Sequence, residues 1–360
     1  MDLKTKLGNL VLENPFMPAS GPLTGTGDKL VALSNYHLGA LVTKTISTTL
    51  PQLSRPFMRG EKNFIMNVEP WSEYGVDTWE KEFLPQVRRQ AQQPLFVSLG
   101  YTDSDMRALI PRLDHLADGY EISTHYVGKE LAPMRRTIQM LRSLTEKPIY
   151  MKISPHFPNP AEFAEMVMEH GGNGVVAINS LGPAMRIDLE KRRVVMGNQN
   201  GVAWMSGPAV KPIALALVST IKRAVPECEV IGVGGVESAK DVVEFLLAGA
   251  SAVQMLSAAL LHGHQLYRKI LEDLPGVLEQ YHFSSVADVI HTPLQMGGLS
   301  YEVAYPHFEQ NRCISCGICE KVCPFFAISR GAAGMVADHD KCMGCGLCRP
   351  RCPKQAISGV

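Results

Sequence analysis

The stretch Glu229-Val-Ile-Gly-Val-Gly-Gly235 shows the pattern that decides the fold of this chain. It is a short apolar run that ends on two glycines, and an amphipathic stretch follows at 239–247, where apolar residues return every three or four positions. A buried parallel strand followed by an outer helix has this appearance. The stretch therefore predicts one βα unit with its strand at 229–233.

Seven other apolar runs of the same kind occur along the chain. The predicted strands lie at 16–19, 40–46, 95–99, 120–124, 149–153, 174–179, 229–233 and 252–256, and the predicted helices at 80–92, 105–117, 160–170, 210–224 and 239–247. Eight such units favour an α/β fold of the (β/α)₈ TIM barrel type. An open doubly wound sheet is the alternative, but the chain shows no obvious change of strand order and no second half.

Barrels of this type place their chemistry at the carboxyl ends of the strands, and a phosphate site often forms after strands seven and eight. Gly234 and Gly235 follow the seventh predicted strand, and Ser257 follows the eighth with a hydroxyl group. Backbone N–H groups can approach an anion closely at glycines, so these residues predict a site for a phosphorylated cofactor. A tight turn between strand and helix would use the same glycines, and this alternative stays open.

The end of the chain holds two copies of one cysteine spacing, each followed by proline. The cysteines are Cys313, Cys316, Cys319 and Cys323 in the first copy and Cys342, Cys345, Cys348 and Cys352 in the second. This spacing is typical of bacterial ferredoxins, in which the fourth cysteine of each run binds the neighbouring cluster. It predicts two 4Fe-4S clusters, whereas structural zinc sites usually pair two short cysteine hooks across a long gap. The predicted domains are a barrel at 1–291, a connector at 292–311 and a ferredoxin-like domain at 312–360.

Composition narrows the class of protein further. Eight of the nine cysteines lie in the two runs, so a disulfide framework is excluded and the thiols must stay reduced. A cytoplasmic, oxygen-poor (anaerobic) setting is expected. Thirty-five basic residues balance thirty-five acidic ones, and no apolar stretch approaches the ~18 residues of a spanning helix. We therefore expect neither nucleic acid nor a membrane as a partner, and a small-molecule substrate instead.

Seven stretches then establish a family resemblance. The barrel region resembles the dihydroorotate dehydrogenase superfamily, and the barrel with its tail is similar to the flavin-containing half of dihydropyrimidine dehydrogenase. The matching stretches are Asn14-Pro-Phe-Met-Pro-Ala-Ser-Gly21, Val42-Thr-Lys-Thr45, Met151-Lys-Ile-Ser154, Ala177-Ile-Asn-Ser180, Ser206-Gly-Pro-Ala-Val-Lys-Pro-Ile-Ala-Leu215, Gly232-Val-Gly-Gly235 and Gln254-Met-Leu-Ser257. They run through the barrel in order, which together with the twin cysteine runs makes the resemblance specific.

The resemblance implies FMN as the barrel cofactor. Lys152 would place a positive charge near the N1 and C2 carbonyl side of the flavin and stabilise its reduced anion. The other implied FMN-binding residues contact either the ring or the phosphate. They are Ala19, Ser20, Gly21, Lys44 and Thr45 at the ring, and Ser206, Gly207, Gly234, Gly235, Leu256 and Ser257 at the phosphate.

The substrate side departs from the family pattern. Where the resembling enzymes read Asn-x-Ser-Cys-Pro-Asn, this chain reads Glu121-Ile-Ser-Thr-His-Tyr126. The hypothesis is that Thr124, His125 or Tyr126 donates the proton, with the latter two ahead because imidazole and phenol are better acids. Predicted substrate-binding residues are the retained Asn67, Asn179 and Ser180 and the exchanged Glu73 and Glu121. Unmatched buried polar groups cost ~1–3 kcal/mol each, so the exchanges argue against orotate.

The expected function is an oxidoreductase that acts on a CH–CH or C=C bond of a small, cyclic substrate. FMN would exchange two electrons with the substrate as a hydride and single electrons with the clusters, which would pass them to or from a ferredoxin, a flavodoxin or a flavoprotein partner. Three alternatives stay open: a true dihydroorotate or dihydropyrimidine dehydrogenase, an electron-transfer subunit without its own substrate, and a zinc-bearing scaffold. Barrel flavoenzymes of this type often dimerise, so a homodimer is a further open expectation.

Overall fold

The computed structural model describes residues 1–123, 128–297, 301–332 and 334–360. The chain divides into two compact units, Met1–Leu294 and Gln295–Val360. The first unit holds all eight predicted barrel strands, and the second holds both cysteine runs.

Eight parallel strands form the central sheet of the first unit. They are β1 (Phe16–Pro18), β2 (Leu41–Val42), β3 (Leu95–Leu99), β4 (Gly119–Ile122), β5 (Ile149–Ile153), β6 (Gly174–Ala177), β7 (Glu229–Val233) and β8 (Ala252–Met255). Their order is β1-β8-β7-β6-β5-β4-β3-β2, so each strand lies beside its neighbour in the chain. The Gly39 N–H donates to the Phe16 carbonyl at 2.8 Å and links the two end strands. The predicted TIM-like barrel is confirmed, and the open doubly wound sheet is wrong because the order has no switch point.

Helices connect most of the strands and cover the sheet. Their bounds are Gly27–Ser34, Val76–Thr78, Leu84–Gln90, Asp103–Leu113, Ala132–Arg142, Pro160–Glu169, Lys211–Ala224, Ala239–Leu247, Ser257–His262, Leu266–Gln280 and Val286–His291. A π-helical turn, Trp79–Phe83, joins two of them, and short 3₁₀ turns lie at Pro22–Thr24, Asp114–Leu116 and Pro208–Val210. Thr102, Asn159 and Ser238 cap their helices by accepting a backbone N–H. Within the described residues, none of the helices has the length and apolar character needed to cross a bilayer.

Apolar side chains fill the barrel in two layers. One layer lies between the strands and the helices, and the other lies inside the barrel and includes Met17, Phe96 and Val176. A hairpin of Thr5–Leu7 and Leu10–Leu12 closes the barrel floor, where the Thr5 hydroxyl donates to the Ser251 carbonyl at 2.8 Å. Since Ser251 directly precedes β8, the floor lies at the amino ends of the strands, and the carboxyl ends are left for the site.

A second, antiparallel sheet covers part of the carboxyl face. Its strands follow the order Leu181–Ala184, Ala203–Ser206, Ile65–Asn67 and Met58–Gly60. In this sheet Asn67 pairs with both Trp204 and Met58. The sheet therefore fixes the positions of two predicted site residues, Asn67 and Ser206.

In the described part of the second unit, two short antiparallel strand pairs accompany one helix. His307–Phe308 pairs with Ile357–Ser358, Ile328–Gly331 pairs with Gly334–Ala337, and the helix spans Ile318–Val322. The predicted connector at 292–311 thus contains a strand of this unit. Cys319 and Cys348 are buried in its small apolar core.

Candidate active site

A cleft opens at the carboxyl ends of the barrel strands. It holds about 1030 Å³ of space, part of which is continuous with solvent. Residues that directly follow a strand line it, among them Ser20, Lys44, Tyr101 and Ser123.

Lys152 lies in the cleft wall and is held from inside the barrel. Its ammonium donates to Oε1 of Glu121 at 2.9 Å, and the Gln254 side-chain amide donates to Oε2 of Glu121 at 2.8 Å. The side chains of Lys152 and Glu121 are 8% and 2% exposed. Gln254 lines the cleft, and its Oε1 is buried without a hydrogen-bond donor among the described residues.

Lys44 is the second buried lysine of the cleft, and it contacts two carboxylates. Its ammonium lies 2.6 Å from Glu69 Oε1 and 2.6 Å from Glu73 Oε1. Burial raises the pKa of Glu69 above its ordinary value, although the Lys44 charge opposes this. Burial also acts to raise the pKa of Glu73, but the hydrogen bond from Lys44, a backbone hydrogen bond and the nearby lysine charges together outweigh it, and the net shift is downward. The group carries one positive charge against two carboxylates.

Hydroxyl and amide groups line another part of the cleft. Ser20 and Thr45 share a hydrogen bond of 3.2 Å, and Thr45 makes another of 2.9 Å with buried Ser98. Asn179 Oδ1 accepts the backbone N–H of Ser180 at 2.8 Å. Asn67, Asn179 and Ser180 all line the cleft, so the structure brings the three retained substrate-binding candidates together.

The loops after β7 and β8 line a further part of the cleft. Ser206 and Ser257 lie there with their hydroxyl oxygens 2.8 Å apart. Gly207, Gly234 and Gly235 have φ angles of +103°, +125° and +79°. These are backbone conformations that glycine adopts readily, and they let the loops approach one another closely.

Besides Gln254, Glu69 and Tyr101 belong to the site although the sequence analysis did not predict them. Glu69 binds Lys44 as closely as Glu73 does, and Tyr101 lines the cleft with its ring centroid 4.9 Å from that of Trp71. Burial, with a contribution from the Glu69 charge, raises the pKa of Tyr101 far above its usual range and keeps the phenol protonated. The position of Tyr101 in the sequence could have identified it, because Tyr101 follows β3 just as Lys44 follows β2.

Three of the predicted residues that the structure describes do not line the cleft. Glu121 does not line the cleft in the described part of the chain; it is buried in the barrel and bonded to Lys152, so its predicted contact with a substrate is not what the structure shows. Glu73 and Gly207 are not among the described residues that line the cleft, although Glu73 accepts a hydrogen bond from Lys44, which does line it. The predicted acids Thr124, His125 and Tyr126 lie outside the described residues. The other predicted FMN-binding residues line the cleft; they are Ala19, Ser20, Gly21, Lys44, Thr45, Lys152, Ser206, Gly234, Gly235, Leu256 and Ser257.

These residues fit a flavin mononucleotide. The unpartnered Oε1 of Gln254 offers an acceptor to a ring N–H, and the buried ammonium of Lys152 offers a positive charge beside it. The serine pair Ser206 and Ser257, together with the left-handed glycines, offers donors and close backbone approach to a phosphate. Both sets of polar groups line one cleft.

The second unit brings the eight cysteines into two sets. One cavity is lined by Cys313, Cys316, Cys319 and Cys352, and the other by Cys323, Cys342, Cys345 and Cys348. The last cysteine of each run therefore lies with the first three of the other run. The Sγ atoms of Cys323 and Cys352 each accept a backbone N–H, from Ala327 at 3.4 Å and from Ala356 at 3.3 Å. No three His, Cys, Asp or Glu side chains of the described residues converge on a single metal-ion position, and four thiols around a cavity suit a larger cluster.

Comparison with known proteins agrees with both units. Residues 2–278 match the family model described as dihydroorotate dehydrogenase, and residues 312–356 match the 4Fe-4S dicluster domain. The chain is 32% identical over 305 residues to dihydroorotate dehydrogenase A (fumarate) of Limosilactobacillus reuteri, covering 80% of this chain and 96% of the relative. It is 29% identical over 305 residues to the catalytic subunit of dihydroorotate dehydrogenase B (NAD(+)) of Pyrococcus horikoshii, covering 82% and 98%.

A third relative is the corresponding catalytic subunit of Geotalea uraniireducens, which is 32% identical over 304 residues, with 80% and 97% covered. The barrel match spans well over half of the chain. The chain therefore belongs to the dihydroorotate dehydrogenase family, whose members are oxidoreductases acting on CH–CH groups, and it carries a C-terminal 4Fe-4S domain.

Proposed function

We propose that this protein is an FMN-dependent oxidoreductase that reduces or oxidises a CH–CH bond of a small, cyclic substrate. Electrons would pass between FMN and an external carrier through two 4Fe-4S clusters. The observation that carries the proposal is the combination in one chain of a cleft with two buried lysines and two four-cysteine cavities. FMN, when bound, supplies hydride transfer and the exchange of two electrons for single ones.

The protein's own residues would bind and orient that cofactor. Lys152 and Gln254 would contact the ring, one by charge and the other by its carbonyl oxygen. Ser206, Ser257 and the neighbouring glycine loops would hold the phosphate, with Gly207 shaping the loop rather than lining the cleft. Ala19, Ser20, Gly21 and Thr45, which follow β1 and β2, would bound the ring edge.

Two clusters, rather than one, are supported by the crossed cysteine sets. Each cavity offers four thiols, the number that one 4Fe-4S cluster needs. Each crossing cysteine also accepts a backbone N–H, and hydrogen bonds to sulfur help to set cluster potentials. The electron partner is proposed to be a ferredoxin, a flavodoxin or a flavoprotein. The Pyrococcus relative is named as the catalytic subunit of an NAD(+)-dependent enzyme, which supports a partner subunit.

The substrate is proposed to be uncharged or cationic. Glu69 and Glu73 both contact Lys44, so the lysine charge is already matched before any ligand enters. A carboxylate substrate such as orotate would meet a group with more acidic than basic side chains. A ligand with N–H or ammonium donors would find acceptors there.

The deciding experiment uses the purified FMN-loaded protein under anaerobic conditions. The flavin is reduced and then mixed with unsaturated ring compounds, among them orotate, uracil and cationic analogues, while its reoxidation is followed. We expect orotate to be slow and an uncharged or cationic ring to be fast. Tight orotate binding with rapid turnover would contradict the proposed substrate class.

A true dihydroorotate dehydrogenase is the second candidate. Asn67, Asn179 and Ser180 are retained and all line the cleft, and the relatives carry this activity in their names. The same orotate measurement separates the two candidates. An electron-transfer subunit without a substrate is disfavoured because the retained Asn67, Asn179 and Ser180 all line the cleft.

Thr124, His125 and Tyr126 stay the proposed proton donors. Replacing them one at a time, as Thr124→Val, His125→Gln and Tyr126→Phe, should slow flavin reoxidation in at least one variant without loss of FMN. Full rates in all three variants would place the acid elsewhere. The cytoplasmic location and the homodimer likewise stay predictions.

A further inference from the structure

Glu121, Lys152 and Gln254 form a closed group that spans the barrel interior. They come from β4, β5 and β8, and β4 and β8 are not neighbours in the sheet. Glu121 therefore points inward, and both of its carboxylate oxygens are used, one by Lys152 at 2.9 Å and one by Gln254 at 2.8 Å. Counted as whole residues, Glu121 and Gln254 are each 1% exposed.

The carboxylate decides which end of the Gln254 amide faces the cleft. An ionised carboxylate has only acceptors, so the amide must turn its NH₂ group toward Glu121. The carbonyl oxygen is then directed away from Glu121, and this is the atom that lacks a donor among the described residues. Gln254 thus presents its carbonyl oxygen, an acceptor, to the cleft. A neutral side chain in place of Glu121 would let either the oxygen or the NH₂ group of Gln254 face the cleft.

The same carboxylate also changes the charge that a bound ring would experience. The Lys152 ammonium lines the cleft, but its charge is compensated by a carboxylate in direct contact with it. In a poorly solvated interior such a pair acts nearly as a neutral dipole on a neighbouring group. A ring that gains negative charge on reduction is stabilised less by the pair than by the lysine alone.

We propose that Glu121 is a positioning residue for the cofactor site, which holds the Lys152 ammonium, turns the Gln254 carbonyl into the cleft and lowers the reduction potential of bound FMN. This role rests on the proposed function, since it needs FMN in the cleft. It differs from the direct substrate contact predicted for Glu121 from the sequence.

The test is Glu121→Gln in the full-length protein loaded with FMN. The reduced flavin should become bound at least tenfold more tightly relative to the oxidised flavin, which is a rise in midpoint potential of about 30 mV for a two-electron couple. A titration against dyes of known potential measures the shift at the flavin absorption band. An unchanged or lower potential in an FMN-loaded variant would overturn the role of Glu121 and leave the proposed function intact. Wild-type protein that binds no FMN would overturn both.

Glu229→Gln is the matched control. Glu229 begins β7, at the opposite end of the barrel, and accepts the Gly8 N–H at 2.9 and 2.8 Å. Its loss removes a second carboxylate from the barrel but should leave the FMN potential unchanged. If Glu229→Gln shifted the FMN potential as much as Glu121→Gln does, the shift would have to be attributed to general destabilisation of the barrel.

Gln254→Leu tests the amide separately and keeps the ion pair. We expect FMN binding to weaken at least tenfold, measured by the fluorescence of released FMN. Unchanged affinity would overturn the assignment of the Gln254 carbonyl to the cofactor, even if Glu121→Gln gave no folded protein.

Discussion

Asp105 shows how one carboxylate fixes two loops of the carboxyl face. It accepts the backbone N–H of Thr48, after β2, at 3.1 Å, and those of Tyr101 and Thr102, after β3, at 3.1 and 3.0 Å. The hydroxyls of Ser47 and Thr102 donate to it as well. Tyr101, which lines the cleft, is therefore held in place by a residue that does not.

Asp105→Asn should destabilise the protein by ~1.5–3 kcal/mol, the usual contribution of hydrogen bonds to a charged group. Burial acts to raise the pKa of Asp105, but hydrogen bonds from Thr102 and Thr48 outweigh it and hold the pKa well below the ordinary value. A lowered folded-state pKa gives stability that is present above about pH 4 and is lost as the pH falls below it. The difference in free energy of unfolding between wild type and variant, measured by urea titration, should shrink in that acid range.

Asp273→Asn is the control, because Asp273 is exposed on the helix Leu266–Gln280. It should change stability by less than ~0.5 kcal/mol at any pH. An equal loss in both variants would mean that the hydrogen bonds of Asp105 are not responsible.

Single residues were predictable where strand position determined them. Gly234, Gly235 and Ser257 were found because barrels often place a phosphate site after strands seven and eight. Lys44 and Lys152 were implied by the family resemblance, and both lie where a barrel strand ends. Glu69 was missed because it lies in a segment without helical or strand periodicity and contacts Lys44 across 25 positions of sequence. Gln254 belonged to a quoted motif, but only the fold shows that its amide contacts Glu121.

Among elements, the strands were predicted more accurately than the helices. The bounds of β3, β5 and β7 agree with the predicted ranges, since a buried parallel strand is an uninterrupted apolar run. The helices Ala132–Arg142 and Leu266–Gln280 were missed, and the proline in each does not explain this, because the predicted helices Asp103–Leu113 and Lys211–Ala224 contain proline as well. The four-stranded antiparallel sheet was also missed, because strands of three or four residues are too short to show alternation.

The loop after β7 and the start of the helix Lys211–Ala224 pack too closely for a side chain at Gly235. An added Cβ would lie 2.7 Å from Lys211 Cβ and 2.9 Å from the Gly207 carbonyl oxygen, at a φ of +79°. Gly235→Ala should therefore cost ~1–3 kcal/mol of backbone strain. Because the loop is proposed to hold the phosphate, we also expect at least fivefold weaker FMN binding, measured by fluorescence titration.

Gly276→Ala provides the comparison within the same unit. Gly276 lies in the helix Leu266–Gln280, and its added Cβ would meet nothing within 4 Å. Alanine there should stabilise the helix by ~0.5–1 kcal/mol and leave FMN affinity unchanged. If Gly235→Ala bound FMN as tightly as Gly276→Ala, the loop after β7 would have no part in the phosphate site.

At the scale of the whole molecule, the crossed cysteines predict which variants behave alike. Cys352→Ser should impair the same cluster as Cys313→Ser, since both residues line one cavity. Cys323→Ser should instead resemble Cys342→Ser. Each variant should lose about four irons of the proposed eight. Metal analysis and low-temperature EPR of the reduced protein would identify the cluster that remains.

A different grouping of the variants would contradict the crossed arrangement of the cysteines. If Cys352→Ser gave the spectrum of Cys342→Ser, each run would bind its own cluster and the two cavities would not correspond to the ligand sets. Reduction of the flavin by substrate should survive in all four variants, because the proposed hydride chemistry takes place in the barrel. Transfer of electrons to an external carrier should be lost or slowed.

Ligand binding beside Lys44, Glu69 and Glu73 should be accompanied by exchange of protons with the buffer. Two carboxylates share one ammonium there, and burial shifts the pKa of Glu69 upward while Glu73 is shifted downward. A cationic ligand would favour the ionised form of Glu69 and release protons on binding, whereas an anionic ligand would favour the neutral form and take protons up. The direction of proton exchange with the buffer therefore reports the charge of the natural substrate before its structure is known.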